Sequence, residues 1–312
     1  MLDWLRRSGS GGPGRTATGT DDDLFDDEFQ RRLEYLALVA RRVYAGRTRA
    51  ERRSKKTGSG IEFADHRAYA PGDDFRYLDW NVYQRLGRLL LRLFEEEEDL
   101  SVYLLLDASS SMSFGDPPKI RYAKKLVAGL AYIALANLDR VSILTFADVM
   151  LDRMAPTRGK NRIFKTFEFL RSIEANGQTG IADAMRTFVA QNKRRGIAVL
   201  VSDLYDPAGF EDGINTLRYG RFEPYVLQVF DPVEVRPPLH GDVRLVDNET
   251  GESREVTITP RILERYRRAH AAYLERIEGF CTGKQVPYFP VETTVPFDEA
   301  ILGILRRGGM VG

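Results

Sequence analysis

Leu104-Leu105-Leu106-Asp107-Ala108-Ser109-Ser110-Ser111-Met112 decides the reading of this chain. An apolar run that begins at Val102 ends abruptly at a carboxylate, and hydroxyls follow at alternate positions, Ser109 and Ser111. Continuous apolar sequence of strand length is the pattern of a parallel strand covered by helices on both faces. The next segment, Lys119 to Leu138, has helical spacing. The loop between strand and helix therefore falls at the carboxyl edge of an open α/β sheet, where such folds bind ligands. Asp107, Ser109 and Ser111 offer hard oxygens without His or Cys, which suits Mg²⁺, Mn²⁺ or Ca²⁺ and argues against zinc or copper.

Further oxygens are expected at the ends of later strands. Gly177-Gln178-Thr179-Gly180 opens a helix predicted from Ile181 to Lys193, with the Thr179 hydroxyl at its start, and Ile197-Ala198-Val199-Leu200-Val201-Ser202-Asp203 is a second apolar strand ending in a carboxylate. The order Asp-x-Ser-x-Ser, then Thr, then Asp, each expected on a strand-to-helix loop, resembles the metal-ion-dependent adhesion site of von Willebrand factor A domains. The resemblance implies Asp107, Ser109, Ser111, Thr179 and Asp203 as metal ligands. The competing reading makes the three hydroxyls helix caps and the two carboxylates ordinary turn residues. One departure stands out: many members of that family have Gly after the last Asp, whereas Leu204 follows Asp203 here. Asp206, just before Pro207, reads either as a residue that supports the ligands from behind or, more simply, as a turn residue.

The bulk numbers exclude several classes. The 312 residues hold one large domain or two modest ones, and 43% hydrophobic residues are enough for a core. A formal net charge of +1 gives no global sign of a nucleic-acid binder. The single cysteine, Cys281, excludes an internal disulfide and a cysteine-based metal site and fits a reducing compartment. The apolar stretch Leu126 to Leu138 is shorter than the roughly 18 residues a membrane span needs, and Met1 to Arg7 lacks a signal-peptide core. The expectation is a cytoplasmic protein without a membrane span.

Along the chain, residues 1–20 read as a disordered tail rich in Gly, Ser, Thr and Pro. An acidic segment, Asp21 to Glu28, leads into Phe25, Phe29, Leu33, Leu36, Ala40 and Val43, spaced by three and four as on one helix face, with acids at the end the dipole favours. It lacks the Gly and terminal Glu of an EF-hand loop. Arg41 to Lys56 is basic apart from Glu51. Such a run could meet nucleic acid, an acidic lipid surface or an acidic partner, or be a solvated linker that pairs with the chain's own acids, and with Tyr44 its only aromatic it makes a poor stacking platform.

Gly60 to Trp80 is the second informative stretch. Its Arg67-Ala68-Tyr69-Ala70-Pro71-Gly72-Asp73-Asp74-Phe75-Arg76-Tyr77-Leu78-Asp79-Trp80 core combines a turn signal with aromatics, arginines and carboxylates that suggest packed ion pairs. Here the chain resembles the bacterial family catalogued as domain of unknown function 58, whose hallmark is this box ahead of an A-type domain. The resemblance spans residues 30 to 307. Relatives often carry two membrane helices before the box, a feature this sequence does not share. No nucleophile pairs with a base in the box, so it reads as a structural clamp between the N-terminal region and the A-type domain.

Strands are predicted at Leu89 to Phe94, Arg140 to Phe146, Glu223 to Phe230 and Val286 to Phe289. Helices are predicted at Lys160 to Ser172, with Ile163, Phe164, Phe167 and Leu170 inward, at Arg261 to Phe280 and at Phe297 to Arg306. Val243 to Ile258 alternates about a turn containing Asn248 and Gly251, a β-hairpin inserted within 232–260. The fold class is α/β, a doubly wound, mostly parallel sheet over 100–307, preceded by an N-terminal region over 21–99.

No catalytic constellation emerges: Ser109 and Ser111 have no histidine base in sequence, and Asp107 lacks the second Asp of an aspartyl-phosphate phosphatase. The expected function is binding, with Mg²⁺ (or Mn²⁺ or Ca²⁺) on the five ligands and a partner's acidic side chain completing the ion's shell. The family resemblance implies a MoxR-type AAA+ ATPase as partner, in chaperone-like assembly or maturation. The alternatives are a metal-dependent phosphoester hydrolase and a nucleic-acid binder using residues 41–56.

Overall fold

The computed structural model describes residues 24–51, 57–58, 62–95, 100–247 and 251–307, with side chains omitted at 41–51, 57–58, 62–64 and 93–95. Packing divides the chain into two units, one joining residues up to Ala40 with Leu100–Met310 and one built on Arg41–Asp99. Helix α1 spans Asp27–Glu51, with Asp27 and Glu28 in its first turn. The Asp26 carboxylate accepts the Phe29 N–H at 2.7 Å, which satisfies one of the helix's orphan donors. Phe25, Phe29, Leu33, Leu36 and Ala40 are buried, as the spacing predicts. Phe25 stacks on Phe167 and Phe29 packs on Phe297, each at 4.6 Å between centroids. This apolar stripe carries the start of α1 into the larger unit. Unit boundaries therefore fall after Ala40 and again after Asp99, the end of the 21–99 region, so the first part of that region belongs to the larger unit.

The smaller unit contains β1 (Thr57–Gly58), β2 (Glu62–Ala68), α2 (Trp80–Leu86) and β3 (Leu90–Glu95). They form an antiparallel sheet of order β1-β3-β2. The box folds between β2 and α2, with Gly72 at φ 104° supplying a turn conformation that side chains disfavour. Arg67 pairs with Asp73 at 2.7 Å and Arg76 with Asp74 at 2.6 Å. Asp79 accepts from Arg92 Nε at 3.0 Å, lies 2.9 Å from His66 Nε2, and caps α2 through the Asn81 and Val82 amides. These pairs all lie within the unit. Phe75 is 63% and Trp80 56% exposed, with Phe75 stacked on Tyr69 at 5.4 Å and Trp80 edge-on to Tyr83 at 6.1 Å between centroids. The side chains of the basic run 41–56, the acidic positions 96–99 and Asn248 lie outside the described residues.

The larger unit runs β4 (Ser101–Asp107), α3 (Lys119–Ala136), β5 (Arg140–Phe146), β6 (Met150–Thr157), α4 (Ile163–Ser172), α5 (Ile181–Gln191), β7 (Ile197–Ser202), α6 (Glu211–Tyr219), β8 (Glu223–Phe230), α7 (Pro232–Val235), β9 (Gly241–Val246), β10 (Ser253–Ile258), α8 (Pro260–Gly283), β11 (Tyr288–Glu292) and α9 (Phe297–Arg307). Its main sheet has the order β11-β8-β7-β4-β5-β6, parallel throughout except for the edge strand β6. This is the doubly wound, mostly parallel α/β fold the apolar strands imply. Every residue of β4 and β7 is buried. Tyr103, Leu105, Leu200 and Val226 meet Phe188 of α5, Ile214 and Leu217 of α6, and Ile277 of α8 on one face of the sheet. Helix α3, flanked by α4 and α9, covers the other.

Two expectations change. Lys160–Arg162 is a short 3₁₀ turn, so α4 starts later than the periodicity suggested, and Phe164 points outward at 62% exposure while Ile163, Phe167 and Leu170 are buried. Strand β6 escapes sequence reading because it is half-exposed and holds Asp152, Arg153 and Pro156, residues that pattern poorly as strand. The hairpin forms as expected, with Val246 opposite Ser253.

Candidate functional site

Register sets the site. Leu106 of β4 pairs with Val201 of β7, which brings Asp107 level with Ser202 and the following Asp203 at the same carboxyl edge. Asp107, Ser109, Ser111 and Asp203 are all fully buried, and Thr179 is 7% exposed. Asp107 Oδ1 accepts the Ser109 N–H at 2.9 Å and Oδ2 the Ser202 hydroxyl at 2.5 Å. The Ser109 and Ser111 hydroxyls lie 3.0 Å apart. Asp203 Oδ1 accepts the Tyr205 N–H at 3.1 Å and Oδ2 the Lys119 ammonium at 2.7 Å.

Thr179 is placed differently from expectation. Its loop joins α4 to α5, two helices, and does not follow a strand. The loop is stitched to the first one by Ser110 N–H to Gly177 O at 2.9 Å and Asn176 N–H to Ala108 O at 2.7 Å. The third loop is tied to it in turn, because Asp206 Oδ2 accepts the Ile181 N–H at 2.7 Å and Oδ1 the Ala208 N–H at 2.7 Å. Asp206 is thus more than a turn residue: it holds the first amide of α5, the role the competing reading assigned to Thr179. Ser109 likewise makes no side-chain cap for the short 3₁₀ helix Ser110–Ser113. The Ser109 and Ser111 hydroxyls face one another.

Burial, and then the charge of Asp203, push the Asp107 pKa up to about 7. Burial and a neighbouring negative charge both disfavour the ionised form of a carboxylate. Lys119 and Glu234 complete the cluster, and the sequence pattern did not single them out. Lys119 Nζ donates to Glu234 Oε1 at 2.6 Å, and Glu234 Oε2 accepts the Asp231 N–H at 2.8 Å in a capping box at the start of α7. Burial pulls the Lys119 pKa down, but Asp203 and Glu234 outweigh it and hold the ammonium above its ordinary range. Burial raises Glu234. The Asp231-Pro232-Val233-Glu234 box was readable as a cap; its tie to Lys119 was not. Among the described residues no three His, Cys, Asp or Glu gather as a metal-binding group, so any cation here would draw on hydroxyls as well.

A family profile described as "Protein of unknown function DUF58" matches residues 65–276, which takes in the box, the three loops and most of the sheet. The chain belongs to the DUF58 family. Relatives of this DUF58 protein include uncharacterized proteins of Mycobacterium bovis and Mycobacterium tuberculosis, each 26% identical over 93% of this chain and 94% of its own length. Similar solved structures include the conserved hypothetical protein BatB from Bacteroides thetaiotaomicron, at TM-score 0.42 and 15% identity over 68% of this chain and 98% of that one. Manganese-loaded TRAP from Plasmodium vivax aligns at TM-score 0.33 and 18% identity over 42% of this chain and 57% of its own. The mostly parallel six-stranded sheet of the larger unit accords with the fold class the sequence suggested. No helix among the described residues is long and apolar enough to cross a membrane.

Proposed function

We propose that this DUF58 protein is a divalent-cation-dependent protein-interaction module without enzymatic activity. Asp107, Ser109, Ser111, Thr179 and Asp203 would hold the ion, and Mg²⁺ suits their oxygen donors, with Mn²⁺ or Ca²⁺ as substitutes. The observation that carries the reading is that Asp107 and Asp203, two fully buried carboxylates, stand at the ends of neighbouring parallel strands at one sheet edge. Lys119 pairs with both Asp203 and Glu234, so one of the two ligand carboxylates is already held by an ammonium. Carboxylates and hydroxyls are hard oxygen donors, and such a set fits a hard divalent ion in its chemistry.

When bound, the cation would supply an electrophilic point able to accept a carboxylate from outside. The chain's own groups do the rest: Ser202 and the Ser109 amide aim Asp107, the Tyr205 amide and Lys119 aim Asp203, and Asp206 fixes the α5 terminus beside Thr179. A partner presenting an acidic side chain is the natural occupant. Family resemblance points to a MoxR-type AAA+ ATPase, with the pair acting in assembly or maturation of other proteins. The test is capture from native lysate by wild type and Asp107→Ala, each with Mg²⁺ and with chelator. Partners retained by wild type with Mg²⁺ and lost in the other three conditions support the reading. Identical capture in all four, or turnover of a phosphoester panel that Asp107→Ala abolishes, sinks it.

A further inference from the structure

Lys119 is the first residue of α3, at the helix end whose dipole opposes a cation, and it is fully buried. Its ammonium sits between Asp203 Oδ2 at 2.7 Å and Glu234 Oε1 at 2.6 Å, and over the rings of Phe114 at 5.7 Å and Tyr205 at 5.1 Å. Packing alone does not call for a lysine. An apolar side chain of similar length fills such a space, and replacing buried ion pairs by apolar groups is often neutral or stabilising. What the lysine does that an apolar group cannot is bring a positive charge onto a carboxylate of the proposed ligand set.

We propose that Lys119 is a built-in counter-charge that sets the affinity of the site for its divalent cation, through the carboxylate of Asp203. The inference rests on the cation reading above. Asp203 offers one oxygen to the Tyr205 amide and one to the ammonium, so its negative charge reaches the site already partly neutralised. Glu234, held in place by the Asp231 amide and, through its own carbonyl, by the Tyr266 hydroxyl at 2.5 Å, offsets part of the ammonium's effect. Affinity should then follow the net charge of the Lys119–Asp203–Glu234 group and not the identity of any one member. Charges a few ångströms apart in a protein interior interact by more than the ~1.4 kcal/mol that corresponds to a tenfold change in binding.

The experiment is calorimetric titration of the full chain with Mn²⁺, comparing wild type, Lys119→Met, Glu234→Gln and the double variant, with circular dichroism to check folding. Lys119→Met, which adds net negative charge, should bind about tenfold tighter or more. Glu234→Gln, which removes it, should bind about tenfold weaker or more, and the double variant should return to within about threefold of wild type. Binding by Lys119→Met without binding by wild type also supports the role. If Lys119→Met does not fold without metal, wild type, Glu234→Gln and the double variant still give the order. Equal affinities across folded variants, or a double variant that fails to return, overturn the counter-charge and leave the cation reading standing. Absence of Mn²⁺ binding in every variant, or binding that survives Asp107→Ala, overturns both.

Discussion

Two clusters of ion pairs in this protein use the same kinds of side chain and differ in their access to water. In the larger unit, Lys119, Asp203 and Glu234 meet with side-chain exposures of 0%, 0% and 4%. In the smaller unit, the Arg76–Asp74 pair is 83% and 42% exposed, and Arg67–Asp73 is 48% and 23% exposed. Exposed pairs sit in high dielectric and contribute little. Buried ones have lost their hydration, so each partner depends on the other to remain charged at all. The contrast assigns different work to the two regions. The box shapes a turn; the sheet edge stores charge.

The largest expected effect tests the buried side. Lys119→Met leaves Asp203 and Glu234 without their shared cation, and breaking a buried pair in this way costs about 3–5 kcal/mol. Denaturant unfolding in chelator should show that loss, with an unchanged m-value. Adding Glu234→Gln should recover part of it, because one of the stranded charges is gone. A loss no greater than that of an exposed pair would mean that water reaches the cluster, and the contrast between the two regions would fail.

How much of this was legible in the sequence follows from the range over which each pattern acts. The strands β4 and β7 and the stripe Phe25, Phe29, Leu33, Leu36, Ala40 repeat within a few residues, and burial of a whole face forces that repetition into the sequence. The carboxylates ending those strands were legible for the same reason, since an apolar run makes its last residue conspicuous. Strand β6 was not, because an antiparallel edge strand needs neither continuous nor strictly alternating apolar residues. Phe164 falls among apolar neighbours in the sequence, but on α4 it stands about 100° around the axis from Ile163 and so lies off the buried stripe of Ile163, Phe167 and Leu170. The Lys119 network was out of reach altogether: its partners lie 84 and 115 residues away, and a single lysine at a helix start looks like any surface lysine. Its one local oddity was a cation at the wrong end of a helix dipole.

A smaller effect probes the intermediate case. Asp79 is 8% exposed and its pKa lies below the ordinary 3.8, because Arg92 and then His66 bond its ionised form. As pH falls the unfolded chain takes up that proton first, so the contribution of Asp79 is present above about 3.8 and is lost as pH drops through the folded value. Amide exchange in β2, α2 and β3, followed from about pH 5 to about pH 2, should show protection declining in wild type. Asp79→Asn should start lower and change less. Parallel decline in both would mean that the Arg92 and His66 contacts do not distinguish this carboxylate from an exposed one.

The smallest effect is the sharpest check, because it predicts almost nothing. Arg76→Ala removes the partner of Asp74, yet Asp74 Oδ1 also accepts the backbone N–H of residue 76 at 3.0 Å, and that bond survives the substitution. The guanidinium is exposed, its pairing spans two residues, and the turn conformation is set by the backbone bond and by Gly72. The unfolding midpoint should therefore stay within experimental error, at low salt and at high salt alike, whereas Asp74→Ala, which deletes the cap itself, should shift it. A clear loss in Arg76→Ala would show that the box depends on its exposed charges as the sheet edge depends on its buried ones, and access to water would no longer explain the division between them.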